Sequence, residues 1–332
     1  MLIWLSFFIC SSAIVIAGTR LSKYGDIIAE KTGLGATWIG VVLMASVTSL
    51  PELVTGISSV TFAGVPDIAV GNVIGACVFN MLTLAFLDLF QRMAPLSARA
   101  HQGHTLSAGF GILLMGIVAS SLFLGERISP LGWIGPYSVV FVILYFAAMR
   151  LIYMYEKRRI SAFLKEMAIE LKYSHISTAR AVTAYAVNAG IVIAAALFLP
   201  AIGGKIAEMS GLGQTFVGTI LIAISTTLPE LTVSVSAVRI GAVDLAIGNL
   251  LGSNIFNIFI LALDDIFFLG GPLLSVADNT HIISALSAIA MTAITVIGLT
   301  YRAEKKQLFL AWDSLGVIII YLINLMLLYM LR

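Results

Sequence analysis

The chain has 332 residues, of which 60% are hydrophobic and only 11% are charged. A soluble domain carries about 25% charged residues, so this composition excludes a water-soluble fold. The net charge is +2, and there is no basic tract, aromatic platform or Cys/His cluster, which argues against nucleic acid as a partner. Cys10 and Cys77 form neither a disulfide framework nor a zinc-binding spacing.

Ten apolar segments run along the chain, each close to the length that spans a bilayer as a helix. They predict an all-α membrane protein embedded in lipid. The first segment lacks the basic leading region of a signal peptide, so it is expected to remain as a transmembrane helix. The predicted spans are 2–18, 34–60, 66–90, 105–124, 133–155, 180–203, 213–238, 243–269, 281–300 and 308–331.

The long polar stretch 156–179 divides the chain into two units of five spans each, 1–155 and 180–332. With the N-terminus outside, sixteen of the 19 Lys and Arg residues fall in inside loops, as the positive-inside rule requires. The predicted location is a prokaryotic cytoplasmic membrane, with both termini outside and the connector 156–179 in the cytoplasm.

The two units repeat one another in two ordered blocks. Residues 39–54 read IGVVLMASVTSLPELV and residues 217–232 read VGTILIAISTTLPELT; residues 67–80 read DIAVGNVIGACVFN and residues 244–257 read DLAIGNLLGSNIFN. The offset is 178 residues in the first block and 177 in the second. Because five spans is an odd number, the second copy enters the membrane from the opposite side. The sequence therefore predicts two inverted five-helix repeats, an architecture that secondary transporters use for alternating access.

Each copy places one glutamate inside an apolar segment, Glu52 or Glu230, directly after a proline. An acid at membrane depth costs about 3 kcal/mol or more and indicates function by default. A protonated structural glutamate is the alternative, but it is harder to accept at two equivalent positions. Pro51 and Pro229 should also free carbonyl groups one turn upstream, which can line a cavity or coordinate an ion.

Hydroxyl and amide groups accompany each glutamate. Thr48 precedes Glu52 by four residues, so both can lie on one helix face, and the same holds for Thr226 and Glu230. Bonds within the helix or between helices are the competing interpretation of these groups. The remaining candidate ligands are Ser49, Thr227, Asn72, Asn80, Asn249 and Asn257.

The candidate ligands are all oxygen donors, which favours hard cations such as Ca²⁺, Mg²⁺, Mn²⁺ or Na⁺. Two carboxylates balance one divalent ion or two monovalent ions. Such ions would be transported substrates, and no cofactor is expected.

The other polar residues fall near segment ends. Asp88, Asp264 and Asp265 are expected to reach the membrane interface, with ion entry as a secondary interpretation. Asp67 and Asp244 are expected to cap the helices that they precede. The four histidines, His101, His104, His175 and His281, show no metal-binding spacing.

Both repeats resemble the α-repeats of the calcium/cation antiporter superfamily, which includes the sodium/calcium exchangers. The family pattern is Gly-Thr-Ser-Leu-Pro-Glu followed by Gly-Asn-x-x-Gly-Ser-Asn-x-x-Asn/Asp, and the resemblance covers essentially the whole chain. It implies that Glu52 and Glu230 are the central Ca²⁺ ligands. By the same resemblance, Thr48 and Thr226 accompany them, Asn80 and Asn257 complete the central site, and Ser49, Thr227 and Ser253 are hydroxyls of the sodium sites.

The sequence departs from the family pattern at several positions. The core glycine is Val47 in one copy and Ser225 in the other, and Ala76 stands where the family often has serine. Asn257 stands where some sodium/calcium exchangers carry aspartate. The loss of a hydroxyl and of a charge weakens the case for sodium as the counter-ion and leaves proton coupling open.

The sequence therefore predicts a secondary antiporter that exchanges Ca²⁺ for Na⁺ or H⁺, and not an enzyme. Exchange of Mn²⁺ or Mg²⁺ is the alternative within the same class. An intramembrane hydrolase with paired acids is a different class, but no His or Lys lies near the two glutamates in the sequence. A passive scaffold would leave two intramembrane acids unexplained.

Overall fold

The computed structural model describes residues 2–32, 48–90, 94–166, 176–239, 241, 243–306 and 310–331. Across these ranges the regular structure is helical, with a single isolated β-bridge between Leu131 and Ile134. The predicted all-α class is confirmed.

The helices of the first half are α1 (Leu2–Thr32), α2 (Leu50–Ser58), α3 (Pro66–Asp88), α4 (Leu96–Arg99), α5 (His104–Leu124) and α6 (Pro136–Glu166). Those of the second half are α7 (Thr178–Ser210), α8 (Gln214–Phe216), α9 (Ala223–Arg239), α10 (Val243–Phe267), α11 (Leu273–Val276), α12 (His281–Tyr301) and α13 (Trp312–Met330). Two π-helical segments, Ser59–Ala63 and Val217–Ile222, adjoin α2 and α9, and a 3₁₀ turn covers Gly125–Arg127.

Nine helical segments within the described ranges are long and apolar enough to cross a membrane. The predicted spans 105–124 and 281–300 agree with α5 and α12 to within one residue at each end. The predicted span 34–60 lies partly outside the described residues, because 33–47 are not among them. Nine of the ten predicted spans thus correspond to a described helix that is long enough to cross a membrane, and the tenth, 34–60, contains the short helix α2.

The polar connector predicted at 156–179 begins as helix. The α6 helix continues past the predicted end of its span, at residue 155, as far as Glu166. Lys, Arg, Glu, Leu and Ala are good helix formers, and they are frequent in this stretch, so the helix continues after the apolar residues end. Residues 167–175 of the connector, including His175, lie outside the described residues.

The centre of the molecule is built on α3 and α10. Every residue of α3 from Ile68 to Ala85 is buried, and the two helices cross where Cys77 and Asn254 contact each other. The outer helices instead expose large apolar side chains such as Phe123 and Phe198. An apolar outer surface around a polar centre is what a lipid solvent favours.

Close approach of backbones is visible beside α3. A Cβ atom on Gly71 would lie 2.9 Å from the backbone nitrogen of Thr219, and one on Gly75 would overlap the Thr219 backbone. These glycines therefore let the π-helical segment Val217–Ile222 pack directly against α3.

Two acids that were expected at the membrane interface are fully buried. Asp88 accepts hydrogen bonds from the backbone of Leu96 and Ala311, both at 2.8 Å, and pairs with Lys306 at 2.9 Å. Its counterpart Asp265 accepts four hydrogen bonds. Asp264 is fully buried as well. These acids near the ends of α3 and α10 are therefore enclosed by protein, and backbone N–H groups outside the helices use Asp88 and Asp265 as buried acceptors. Their depth in the membrane stays a prediction.

The expectation that Asp67 and Asp244 cap their own helices was also wrong. Asp67 accepts from the backbone of Asp278 at 2.7 Å and lies 3.2 Å from Nε2 of His281. Asp244 accepts from the backbone of His101 at 2.7 Å and lies 3.0 Å from Nε2 of His104. Each acid therefore joins its helix to the other half of the chain, and the two junctions are related by the 177-residue offset.

Candidate cation site

The first glutamate lies at the start of a helix. Ser49 has non-helical backbone angles, φ −89° and ψ 13°, and α2 begins at the next residue. Pro51 lies in the first turn of α2, where its missing N–H is not needed. Glu52 follows within the same turn, where the helix N-terminus favours a negative charge. The predicted free carbonyl of Val47 lies outside the described residues.

The second glutamate has a different backbone around it. Pro229 lies inside α9, and the π-helical segment Val217–Ile222 directly precedes that helix. Pro229 therefore does not end its helix, but it has no N–H to donate to the carbonyl of Ser225 four residues upstream, as the sequence predicts. Wider π turns are rare and recur at functional sites, and here the widened turn ends at Ile222, one residue before α9 begins.

The hydroxyl groups bind the carboxylate of the other repeat. Ser49 donates to Oε1 of Glu230 at 3.1 Å, and Thr227 donates to Oε1 of Glu52 at 3.0 Å. Thr48 likewise interacts with Glu230, and Thr226 with Glu52. The hydroxyl groups of each repeat therefore contact the glutamate of the other repeat, because the two helices face each other. The shared face of each threonine with the glutamate of its own helix stays a prediction.

Both glutamates are buried, and their charges repel each other. Each is 1% exposed, and the charge of Glu52 acts on Glu230. Among the described residues, no Lys or Arg forms an ion pair with either of them. Two neighbouring buried acids without a cationic partner are unstable as a pair of charges unless protons or a cation neutralise them.

The asparagines of the second block connect helices. Asn72 donates to the backbone oxygen of Glu52 at 3.2 Å, and its Oδ1 lies 3.0 Å from the hydroxyl of Thr226. Asn249 donates to Ser234 at 3.2 Å. These contacts match the interhelical interpretation of Asn72 and Asn249, and Asn72 also fixes the helix turn that carries Glu52.

Asn254 is a residue that the sequence reasoning missed. Its Oδ1 accepts from Asn80 at 2.9 Å, and its amide donates to the backbone oxygen of Cys77 at 3.4 Å. The available signal was the Gly-Ser-Asn triplet at 252–254, whose first-block counterpart has Ala76 and Cys77. Only the second copy has a polar residue at this position, so the repeat did not indicate it.

Several predicted ligands present oxygen atoms that have no hydrogen-bond partner although they are buried. They belong to both halves of the chain and include one oxygen of each glutamate. Buried polar atoms are rarely left unpaired in a stable structure. The unpartnered atoms of the predicted site are Glu52 Oε2, Glu230 Oε2, Asn80 Oδ1, Asn257 Oδ1 and Ser253 Oγ.

The donor set is chemically uniform. It combines two carboxylates with amide and hydroxyl oxygens, which suits hard cations. Within the described part of the chain, no group of three or more His, Cys, Asp and Glu residues could hold a metal ion. A cation here would depend on amide and hydroxyl oxygens beside the two carboxylates. The arrangement can therefore hold a cation with two formal negative charges and neutral oxygens around it.

Comparison with known proteins places the chain in a family. The family model described as sodium/calcium exchanger protein matches residues 2–154 and 181–330. The sodium/calcium exchanger MaX1 of Methanosarcina acetivorans is 39% identical over 124 residues, which are 37% of this chain and 33% of MaX1. That alignment therefore spans about a third of the relative's own length.

Solved structures share the fold. A crystal structure of the H⁺/Ca²⁺ exchanger CAX superposes with a TM-score of 0.70 at 15% identity, covering 98% of this chain and 82% of that one. The sodium-calcium exchanger NCX_Mj, soaked with Na⁺ and Ca²⁺, gives a TM-score of 0.61 at 19% identity and 97% coverage of both chains. Because the family model matches both halves, this chain belongs to the sodium/calcium exchanger family and is a membrane antiporter of cations, not an enzyme.

Proposed function

We propose that this protein exchanges Ca²⁺ for Na⁺ or H⁺ by alternating access around Glu52 and Glu230. The observation that carries the proposal is the set of five buried, unpartnered oxygens on predicted ligands from both repeats. A bound cation would satisfy all of them at once. Antiport also requires that the site not stay empty, and two buried carboxylates meet this condition because they are stable only when neutralised.

The charge of the site favours a divalent ion or a pair of small ones. One Ca²⁺ balances Glu52 and Glu230, and two Na⁺ or two H⁺ do the same. Each occupied state is then neutral at membrane depth, while a singly occupied monovalent state is not. Strict exchange follows, because only the neutral states cross between the two open forms at low cost.

The counter-ion depends on how many oxygens remain for monovalent ions. Ser253 offers an unpartnered hydroxyl, whereas its counterpart Ala76 is buried and offers none. One half of the site therefore has fewer neutral ligands for Na⁺. This asymmetry keeps H⁺ open as the counter-ion, since a proton needs only the carboxylates.

The architecture that we propose is a pair of inverted five-helix repeats, 1–155 and 180–332, joined by the connector 156–179. Support comes from the contacts that the first residues of α3 and α10 make. The first residues of α10 contact the start of α5, which follows the far end of α3. The first residues of α3 contact the start of α12, which follows the far end of α10. Both contacts are expected if α3 and α10 cross in opposite directions.

The test is ion-driven flux in proteoliposomes. We expect ⁴⁵Ca²⁺ uptake when an outward gradient of Na⁺ or of H⁺ is imposed, and no uptake without either gradient. Mn²⁺ and Mg²⁺ are offered as competitors in parallel to identify the divalent substrate. Absence of counter-flow for every cation pair, with correctly folded protein, would contradict the proposal.

A further inference from the structure

A third buried acid lies outside the glutamate pair. Asp264 is fully buried in α10, and neither of its carboxylate oxygens has a hydrogen-bond partner. The salt bridges among the described residues do not include it. Its neighbour Asp265 accepts four hydrogen bonds and so has a structural role. Asp264 has no comparable structural explanation.

The repeat shows that the fold does not require an acid at this position. With the 177-residue offset, the counterpart of Asp264 in α3 is Leu87, which is also fully buried. The residue that faces Asp264 is Gly56 of α2, where a Cβ atom would overlap the carboxylate. The counterpart of Gly56 is Ser234. Gly56 belongs to the first repeat and Asp264 to the second, so the acid and the space that it fills meet between the repeats. The symmetry-related positions carry Ser234 and Leu87 instead, so the second copy of this contact has no acid.

The location links this acid to the glutamate site. Gly56 lies one helical turn after Glu52 on the same face of α2. Asp264 lies seven residues, or two turns, after Asn257 on the same face of α10, which is about 10 Å along the helix axis. The carboxyl therefore lies between the same two helices as part of the site, displaced toward the C-terminal end of α10.

The titratable groups that face Asp264 are few. They are Asp265 on its own helix and Tyr137 at the start of α6, whose hydroxyl donates to Asp265. Glu52 lies on α2 one turn before Gly56, the residue that Asp264 contacts. The segment Ser59–Ala63 and helix α11 contribute none. His104 and Arg239 lie at the opposite, N-terminal end of α10. The surroundings of Asp264 are therefore acidic or neutral.

A metal ion needs many oxygen ligands, whereas a proton needs only one carboxylate oxygen. We propose that Asp264 is a proton-binding site, separate from the glutamate pair, that holds a proton when the central site is empty and releases it when a cation binds at Glu52. Binding of one Ca²⁺ brings two positive charges; the O–H bond of Asp264 breaks, the proton leaves to solvent, and a carboxylate remains. This inference rests on the proposed function, because the cation at the glutamates provides the coupling.

The coupling has a definite sign. A cation about 10 Å away favours the ionised form of Asp264, and by reciprocity ionised Asp264 favours the cation. With an effective dielectric constant of about 20, each unit charge of the ion at that distance changes its affinity roughly tenfold, so the effect on Ca²⁺ is roughly a hundredfold. Apparent Ca²⁺ affinity should therefore rise with pH, in part through this one residue.

The experiment compares purified wild type, Asp264→Asn and a control, Asp313→Asn, which removes another largely buried acid from a different helix. The first readout is the infrared carbonyl band of protonated carboxyl groups, with and without Ca²⁺. We expect one component that disappears on Ca²⁺ addition in the wild type and in Asp313→Asn, and that is missing from Asp264→Asn throughout.

The second readout is equilibrium Ca²⁺ affinity as a function of pH. We expect Asp264→Asn to lose up to one proton from the slope and to bind Ca²⁺ roughly a hundredfold more weakly at high pH. If Asp264→Asn does not fold, Asp264→Leu, which copies Leu87, replaces it. A variant with the wild-type slope and an unchanged carboxyl band would overturn the proposal. If Glu52→Gln kept full Ca²⁺ affinity, the glutamate site would fail instead, and the carboxyl band would still report on Asp264.

Discussion

The two glutamates carry the chemistry of the proposed exchange, and they do so as a pair. Each accepts a hydrogen bond from a hydroxyl group of the opposite repeat: Glu230 from Ser49 and Glu52 from Thr227. The second carboxylate oxygen of each glutamate has no hydrogen-bond partner in the protein. This reciprocal pattern makes the two carboxylates nearly equivalent. It also means that neither repeat contains a complete site by itself.

Removal of either charge should therefore have a similar effect. We expect Glu52→Gln and Glu230→Gln each to lower apparent Ca²⁺ affinity by at least about a thousandfold, because a carboxylate at about 4 Å contributes about 4 kcal/mol for each unit charge of the ion at an effective dielectric constant of about 20. Folding should be retained, since a buried charge is removed. The measurement is initial ⁴⁵Ca²⁺ uptake for matched amounts of folded protein. Near-normal uptake in either variant would remove that glutamate from the site.

The asymmetry between Ala76 and Ser253 should affect the monovalent ion. We expect Ala76→Ser to strengthen the dependence of exchange on Na⁺ while changing Ca²⁺ affinity less than threefold, because a neutral hydroxyl contributes less than a charged ligand. The check is uptake over a range of Na⁺ concentrations at fixed pH. Ala119→Ser, in the outer helix α5, is the control for a new buried hydroxyl. An identical Na⁺ dependence in wild type and Ala76→Ser would place position 76 outside any sodium site.

At the scale of helices, two equivalent junctions hold the repeats together. His281 pairs with Asp67, and His104 pairs with Asp244, so each central helix is tied at its first turn to the other half of the chain. The two junctions differ in exposure. The Asp67 side chain is 24% exposed, whereas the Asp244 side chain is 57% exposed.

This difference predicts unequal stabilities. We expect His281→Gln to cost about 1–2 kcal/mol and His104→Gln less than 1 kcal/mol, since solvent weakens an exposed contact. Thermal unfolding in detergent measures both, and double-mutant cycles with Asp67→Asn and Asp244→Asn isolate the pair terms. Equal losses in the two single variants, or strictly additive cycles, would show that the side-chain pairs do not join the repeats energetically.

At the scale of the whole molecule, the distribution of basic residues predicts how the chain lies in the membrane. Sixteen of the 19 Lys and Arg residues fall on one side if the N-terminus is outside. The same assignment puts the C-terminal end of α10, and with it Asp264, toward the exterior. The orientation thus decides from which side the proposed proton site is reached.

Topology can be tested by labelling in intact cells. After replacement of Cys10 and Cys77, we expect a cysteine at position 165 to react only from the cytoplasm and one at position 205 only from outside. Lys205 is exposed near the end of α7, which makes it a suitable reporter. Reaction of both positions from the same face would contradict the inverted arrangement of the repeats.

Much of this protein was determined by the sequence alone. Apolar runs of bilayer length allow only helices, because lipid offers no partners for free backbone groups, so the helices matched closely where they are described. Glu52 and Glu230 were identifiable because an acid in an apolar run has a high cost, and the repeat showed that this cost occurs twice. The family pattern then followed from the same residues.

Tertiary structure decided which groups meet. The sequence predicts that Thr48 and Glu52 share a helix face, whereas the hydrogen bonds of Ser49 and Thr227 to the opposite glutamates are contacts that sequence spacing does not encode. Asp88 and Asp265 lie in similar contexts to Asp264 along the chain, yet only the fold shows that loop amides satisfy the first two and leave the third without a partner. Local sequence sets which face a side chain occupies on its helix, whereas its partners depend on how distant helices cross.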